Sequence, residues 1–176
     1  YLELAQKSVS KNGWEKTIDL HFGDVCRPPR LLEAGSFDYV VANPPYFDEE
    51  AYFKSPDGGK SEAHANHGSK LIDWVKCAKT FLKPEGQFFV VFPSDREEIL
   101  TTALKAEFNE ICLFRVFSST ETTPIRLIAS AKAVPLAETL VLEAGKLHIR
   151  DEKGEYTPTA RGILWDGQQL VFDNAT

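Results

Sequence analysis

Apolar residues recur along this chain with two alternating periods. Leu2, Ala5 and Val9 stand at helical spacing. Asn12-Gly13 follows, a pair suited to stopping a helix in the left-handed conformation. Thr17 to Phe22 alternates as a strand does and closes on Gly23-Asp24. Cys26 to Gly35 carries Pro28-Pro29 and reads as a connection or short helix. Phe37 to Ala42 is apolar enough for a buried strand. Phe47 to Gly68 is a long polar stretch, of the kind that is functional or disordered inside a compact domain.

The second half repeats the rhythm. Ser69 is placed to cap a helix running to Leu82, with Leu71, Ile72, Val75, Ala78 and Leu82 on one face. Pro84-Glu85-Gly86 turns the chain into a strand from Gln87 to Phe92. Ser94-Asp95 opens a helix through Ala106, with Glu97 three residues on as a capping-box partner. Ile111 to Phe117 and Ile125 to Ala133 read as an antiparallel pair. Thr139 to Glu143 and Lys146 to Arg150 read as a further hairpin about Ala144-Gly145. Strands alternating with helices define an α/β class, and right-handed crossovers make the early strands parallel.

The chemistry concentrates at Asn43-Pro44-Pro45-Tyr46, directly after the strand Phe37 to Ala42. Open α/β sheets build their sites at the carboxyl ends of strands. Pro45 keeps Pro44 out of the helical region, so the loop is stiff. An amide acceptor beside an aromatic ring suits an aminated planar substrate such as a base. The same residues also make an ordinary loop opener, with Tyr46 capping a core.

These residues carry a resemblance. The chain is similar to class I S-adenosylmethionine-dependent methyltransferases that modify exocyclic or amide nitrogens through Asn-Pro-Pro-Tyr. Within them it most resembles the bacterial enzymes of the small-methyltransferase-domain group that act on an adenine amine of valine tRNA. Leu4 to Gly13, Phe47, Leu82-Lys83-Pro84-Glu85-Gly86-Gln87 and Gly154-Glu155-Tyr156-Thr157 extend the match.

The resemblance implies a Rossmann-like methyltransferase sheet with a terminal antiparallel strand pair, in a single partial domain over residues 1–176. It implies S-adenosylmethionine as cofactor and RNA, tRNA in particular, as substrate. Asp24, Val25 and Asn43 fall at its cofactor positions. Asn43, Pro44, Pro45 and Tyr46 are its catalytic motif, and Tyr46 with Phe47 would stack on the base. Asp24 also has a plain role open to it, as a turn aspartate bonded to its own backbone. Phe47 equally suits loop packing.

DNA adenine and protein glutamine methylation use the same four residues and are alternatives. The relatives' Arg-His-Glu stretch is replaced here by Ala63-His64-Ala65-Asn66-His67. Two histidines without a further ligand make no metal site, and none is expected.

The glycine-rich turn of the resembled fold has no counterpart. No two glycines stand two residues apart, and Gly58-Gly59 lies in the polar stretch with no strand before it. The implied sheet is therefore truncated at its amino end, without its first two strands and the helix between. A non-catalytic remnant or interaction module is the alternative this raises. The strand Phe37 to Ala42 would have a bare edge. Either Thr17 to Phe22 moves beside it, or two copies pair their edges in a homodimer.

Composition adds limits. A net charge of −6 opposes a protein that coats nucleic acid non-specifically. No apolar run reaches the ~18 residues of a membrane helix and no signal peptide is visible, so a cytoplasmic location is expected. Cys26, Cys77 and Cys112 match neither a zinc nor a redox spacing, and no disulfide is expected.

Overall fold

The computed structural model describes residues 1–25, 27–45 and 70–172. Its elements are α1 (Leu2–Asn12), β1 (Phe37–Ala42), α2 (Leu71–Phe81), β2 (Leu82–Pro93), a 3-10 turn (Ser94–Arg96), α3 (Glu97–Lys105), β3 (Glu110–Phe117), β4 (Arg126–Lys132), β5 (Leu140–His148) and α4 (Pro158–Trp165). The strands form one sheet in the order β1-β2-β4-β3-β5. β1 runs parallel to β2 and β3 parallel to β5, while β4 is antiparallel to both β2 and β3. The expected α/β class and the antiparallel pair β3–β4 are both present.

The core lies on one face of the sheet. Phe88, Val90 and Phe92 of β2 meet Val75 and Ala78 of α2 and Leu100, Ala103 and Leu104 of α3. Ile111 and Leu113 of β3 and Leu127, Ala129 and Ala131 of β4 complete it. These are alternate residues, as a two-residue period requires. On the opposite face Cys112, Phe114, Val116 and Ser130 are buried as well, while β1 is less covered among the described residues. Phe172 packs against Phe89 and Phe114 with ring centroids 5.9 and 5.5 Å away. Tyr39 and Val41 of β1 remain 66% and 75% exposed there.

Several expectations are corrected. Thr17 to Phe22 is not a strand: Thr17 and Ile18 bond back to the carbonyl of Trp14, and the rest joins no ladder. An alternating pattern makes a strand only where a neighbour supplies hydrogen bonds. Accordingly it does not lie beside β1, which pairs with β2 alone among the described residues.

The hairpin about Ala144-Gly145 is instead one continuous strand, β5. Leu113 faces Glu143 while Phe114 faces Gly145, so Ala144 is the extra residue of a bulge. Gly145 has φ 130°, and a Cβ there would sit 2.8 Å from Cε2 of Phe114. Glycine marks a close approach here, not a reversal. Pro84-Glu85-Gly86 likewise lies within β2, as an irregularity where Phe37 faces Leu82 but Tyr39 faces Gln87. Lys83 in this bulge bonds Asp38 at 2.7 Å.

Helix ends differ too. Gly13 ends α1 at φ 69°, as expected. At α2 the backbone N–H of Lys70 donates to Asp73 at 2.9 Å, and Ser69 lies outside the described residues. Ser94 does not cap α3: its Oγ donates to the carbonyl of Pro124, and Glu97 bonds Arg115. α4 was not anticipated, although Thr157-Pro158 announces it. Thr157 Oγ1 accepts from Ala160 N at 3.2 Å, with proline in the first turn. Burial raises the pKa of the Cys112 thiol, a small core residue beside Ser130.

Candidate active site at the carboxyl end of β1

β1 and β2 run in step, and Ala42 faces Val90. Ala42 is buried under the helices, so the chain leaves the sheet from a fixed point. Asn43 is exposed, Pro44 is buried and Pro45 is exposed. A buried proline followed by another proline leaves little backbone freedom. Asn43 is thus presented on a stiff loop beyond the carboxyl end of a parallel strand. Tyr46, Phe47, His64 and His67 lie outside the described residues.

Asp24 and Val25 occupy a separate turn outside the sheet. Arg27 N donates to the Asp24 carbonyl at 2.8 Å. Asp24 is exposed and Val25 half-buried. The expected strand before Asp24 is absent, because Thr17 to Phe22 does not pair. Asn43, Pro44 and Pro45 are therefore held together by β1, and Asp24 and Val25 by their own turn.

The same sheet end carries further polar residues that the sheet brings together. β2 outruns β1 by three residues, from Val90 to Pro93. Arg126, the first residue of β4, faces Pro93 on one side and Val116 on the other. At the far side His148 stacks on Phe117, with centroids 4.6 Å apart. Its Nδ1 lies 2.6 Å from the carbonyl of Ser119. A carbonyl only accepts, so Nδ1 carries the hydrogen. The local pattern marks Ser94 only as a helix cap and does not mark His148; the sheet brings both to this end.

In the sequence Arg115, Arg126 and Lys132 on the last strand pair suit either phosphate contact or solvation of an edge strand, the second being the plainer reading. That reading fails, since β3 and β4 are both interior strands. Arg115 Nη1 and Nη2 bond Glu97 at 2.7 and 3.1 Å, and Nε bonds Glu143 at 3.0 Å. Hydrogen bonds to Glu97 and then Glu143 raise its pKa further, so the guanidinium is always charged. Among the described residues, shallow clefts also lie elsewhere. One is at the amino end of β1 and β2, around Asp38, Lys83 and Gln87; another is between Tyr156, Arg161 and Trp165.

The described sheet matches that of a solved structure, a predicted O-methyltransferase from Agrobacterium tumefaciens. The TM-score is 0.69 at 15% identity, over 92% of this chain and 71% of that one. The fold is thus that of the Rossmann-like methyltransferases. The model of the Eco57I restriction-modification methylase family matches residues 3–110, which include Asp24 and Asn43 to Phe47. The chain belongs to this family. Among curated proteins it is 29% identical over 172 residues to the tRNA1(Val) (adenine(37)-N6)-methyltransferase of Pasteurella multocida, covering 94% of this chain and 66% of that protein. The protein of the same name from Haemophilus influenzae is 29% identical over 157 residues, 87% of this chain and 62% of its own length. That from Parabacteroides distasonis is 26% identical over 165 residues, 92% and 66%. The chain thus spans just under two thirds of these relatives. No helix among the described residues is long and apolar enough to cross a membrane.

Proposed function

We propose that this chain carries the transfer site of an S-adenosylmethionine-dependent methyltransferase acting on an adenine exocyclic amine in RNA, most specifically in tRNA. The observation that carries the reading is Asn43, exposed on a stiff Pro44-Pro45 loop at the carboxyl end of β1. The names of the relatives support the substrate class.

The residues present suit the cofactor's adenine end. The exposed Asp24 carboxylate accepts from an N–H donor, and half-buried Val25 offers apolar surface to a ring. When bound, the cofactor supplies a methyl group made electrophilic by a positively charged sulfur. Asn43 Oδ1 accepts a hydrogen bond from the target amine, and the Pro44 carbonyl accepts a second. Together they hold the amine so that its lone pair faces the methyl group. Tyr46 and Phe47 supply a stacking surface for the base. Positioning of this kind lowers the barrier without a strong base. The outer edge of β1, unpaired among the described residues and with Tyr39 and Val41 exposed, suits pairing with a second copy.

The test is methylation of total tRNA with labelled cofactor by an active form of the enzyme, followed by nucleoside analysis. N6-methyladenosine is the expected product. Methyl transfer to DNA or to protein glutamine only, or none despite cofactor binding, refutes the reading.

A further inference from the structure

Arg126 is the first residue of β4, and its Nη1 donates to the carbonyl of Ile125 at 2.8 Å. It is exposed, yet β4 is an interior strand. Leu127, Ala129 and Ala131 of β4 point into the helix-covered core. Arg126 therefore points to the other face, as Val41 and Tyr39 of β1 do, and stands exposed between buried Pro93 and Val116. Asn43 continues that alternation beyond Val41.

Its distance from Asn43 follows from the register. Ala42 faces Val90, which sets Asn43 level with Val91, and Arg126 faces Pro93. Two strand spacings across and two residues along place the two backbones about 12 Å apart. A base held at Asn43 would thus have its neighbouring nucleotides at Arg126.

The chain just before Arg126 completes the surface. Ser118 to Pro124 joins β3 to β4 at this end and carries exposed Thr120, Thr122 and Thr123. It is fastened on both sides. Ser94 Oγ, beyond the end of β2, donates to the Pro124 carbonyl. His148, at the end of β5, donates to the Ser119 carbonyl, and Arg150 N donates to the Ser118 carbonyl at 3.1 Å. Glu121, the acidic residue of this loop, is bonded by Ser118 Oγ at 3.2 Å. Hydroxyls and a guanidinium on a fixed loop are the groups that contact nucleic-acid phosphates.

We propose that Arg126 and the Ser118–Pro124 loop bind the phosphate backbone of the RNA strand that flanks the base held at Asn43. Ser94 and His148 are positioning residues for that loop. The inference rests on the RNA reading and deepens it. It also reconciles a net charge of −6 with a nucleic-acid substrate, since binding is confined to a local contact.

The experiment measures equilibrium binding of fluorescently labelled tRNA to an active form of the enzyme across a salt series. Wild type, Arg126→Gln and Arg126→Lys are compared, with steady-state methylation measured alongside. Arg126→Gln is expected to weaken binding and raise the KM for tRNA roughly tenfold, with kcat at saturation within about twofold. The slope of log affinity against log salt should fall by about 0.7, one phosphate contact on a single strand. Arg126→Lys should keep the slope. A Thr122→Ala/Thr123→Ala double variant should raise the KM without changing the slope. Wild-type affinity and slope in Arg126→Gln overturn the inference even if tRNA is methylated. An Arg126-dependent slope in an enzyme that methylates no RNA would instead refute only the proposed reaction.

Discussion

Arg115 grips Glu97 with both terminal nitrogens, at 2.7 and 3.1 Å, and so ties the middle of β3 to the first residue of α3. Glu97 follows directly on the 3-10 turn that leaves β2 beside the candidate site. Glu143 of β5 holds Arg115 from the other side. One guanidinium thus joins three elements, and its fork geometry suits two carboxylates as an ammonium does not. We expect Arg115→Ala to lower stability by about 1–2 kcal/mol, because both partners are partly solvated. Arg115→Lys should recover less than half of that. Urea unfolding followed by circular dichroism measures both, and full rescue by lysine would show that charge alone matters.

Asn43→Ala in an active form should lower turnover by about 30-fold or more, equivalent to ~2 kcal/mol of transition-state stabilisation. Affinity for S-adenosylhomocysteine, measured by calorimetry, should change far less. Asn43 is expected to touch the target amine in the step that is rate-determining. Turnover close to wild type would remove it from the reaction.

Asp24→Ala should raise the KM for the cofactor and leave kcat at saturation largely intact. A carboxylate bonded to the adenine end makes the same contact before and during transfer, which is uniform binding. Initial rates over a cofactor series decide it. If saturating cofactor fails to restore the rate, Asp24 serves elsewhere.

Gly145→Val should destabilise the fold by about 2 kcal/mol or more. The position combines φ 130° with a Cβ contact of 2.8 Å to the Phe114 ring. Substitution in the turn at Gly154, where a Cβ would meet nothing within 4 Å, leaves only the backbone strain of φ 79° and should cost less. Thermal melts of Gly145→Val and Gly154→Ala provide the comparison.

The outer edge of β1, unpaired among the described residues, is expected to make the chain a dimer in solution. Val41→Lys on that edge should shift it toward monomer, since edge charges oppose strand pairing. Size exclusion with light scattering reads the mass. A wild-type monomer at high concentration would dismiss edge pairing.

Some of this architecture was determined by sequence alone. Local period and end signals placed α1, β1, α2 and β3–β4, because amphipathic faces and Gly13 act within a few residues. Asn43-Pro44-Pro45 was also legible, since two prolines constrain the backbone wherever they fall. What required the tertiary structure were features whose cause lies far away in the chain. Thr17 to Phe22 has a strand's pattern, but no neighbouring strand bonds it. Ala144-Gly145 has a turn's composition, but Phe114 and the parallel pairing with β3 make it a bulge. Ser94 and Glu97 spell a capping box, yet Pro124 and Arg115 compete for their side chains and win. Arg126 and Asn43 are 83 positions apart in sequence. They come to one end and one face only because β4 inserts beside β2, a choice made by the sheet's hydrogen bonds and its shared core.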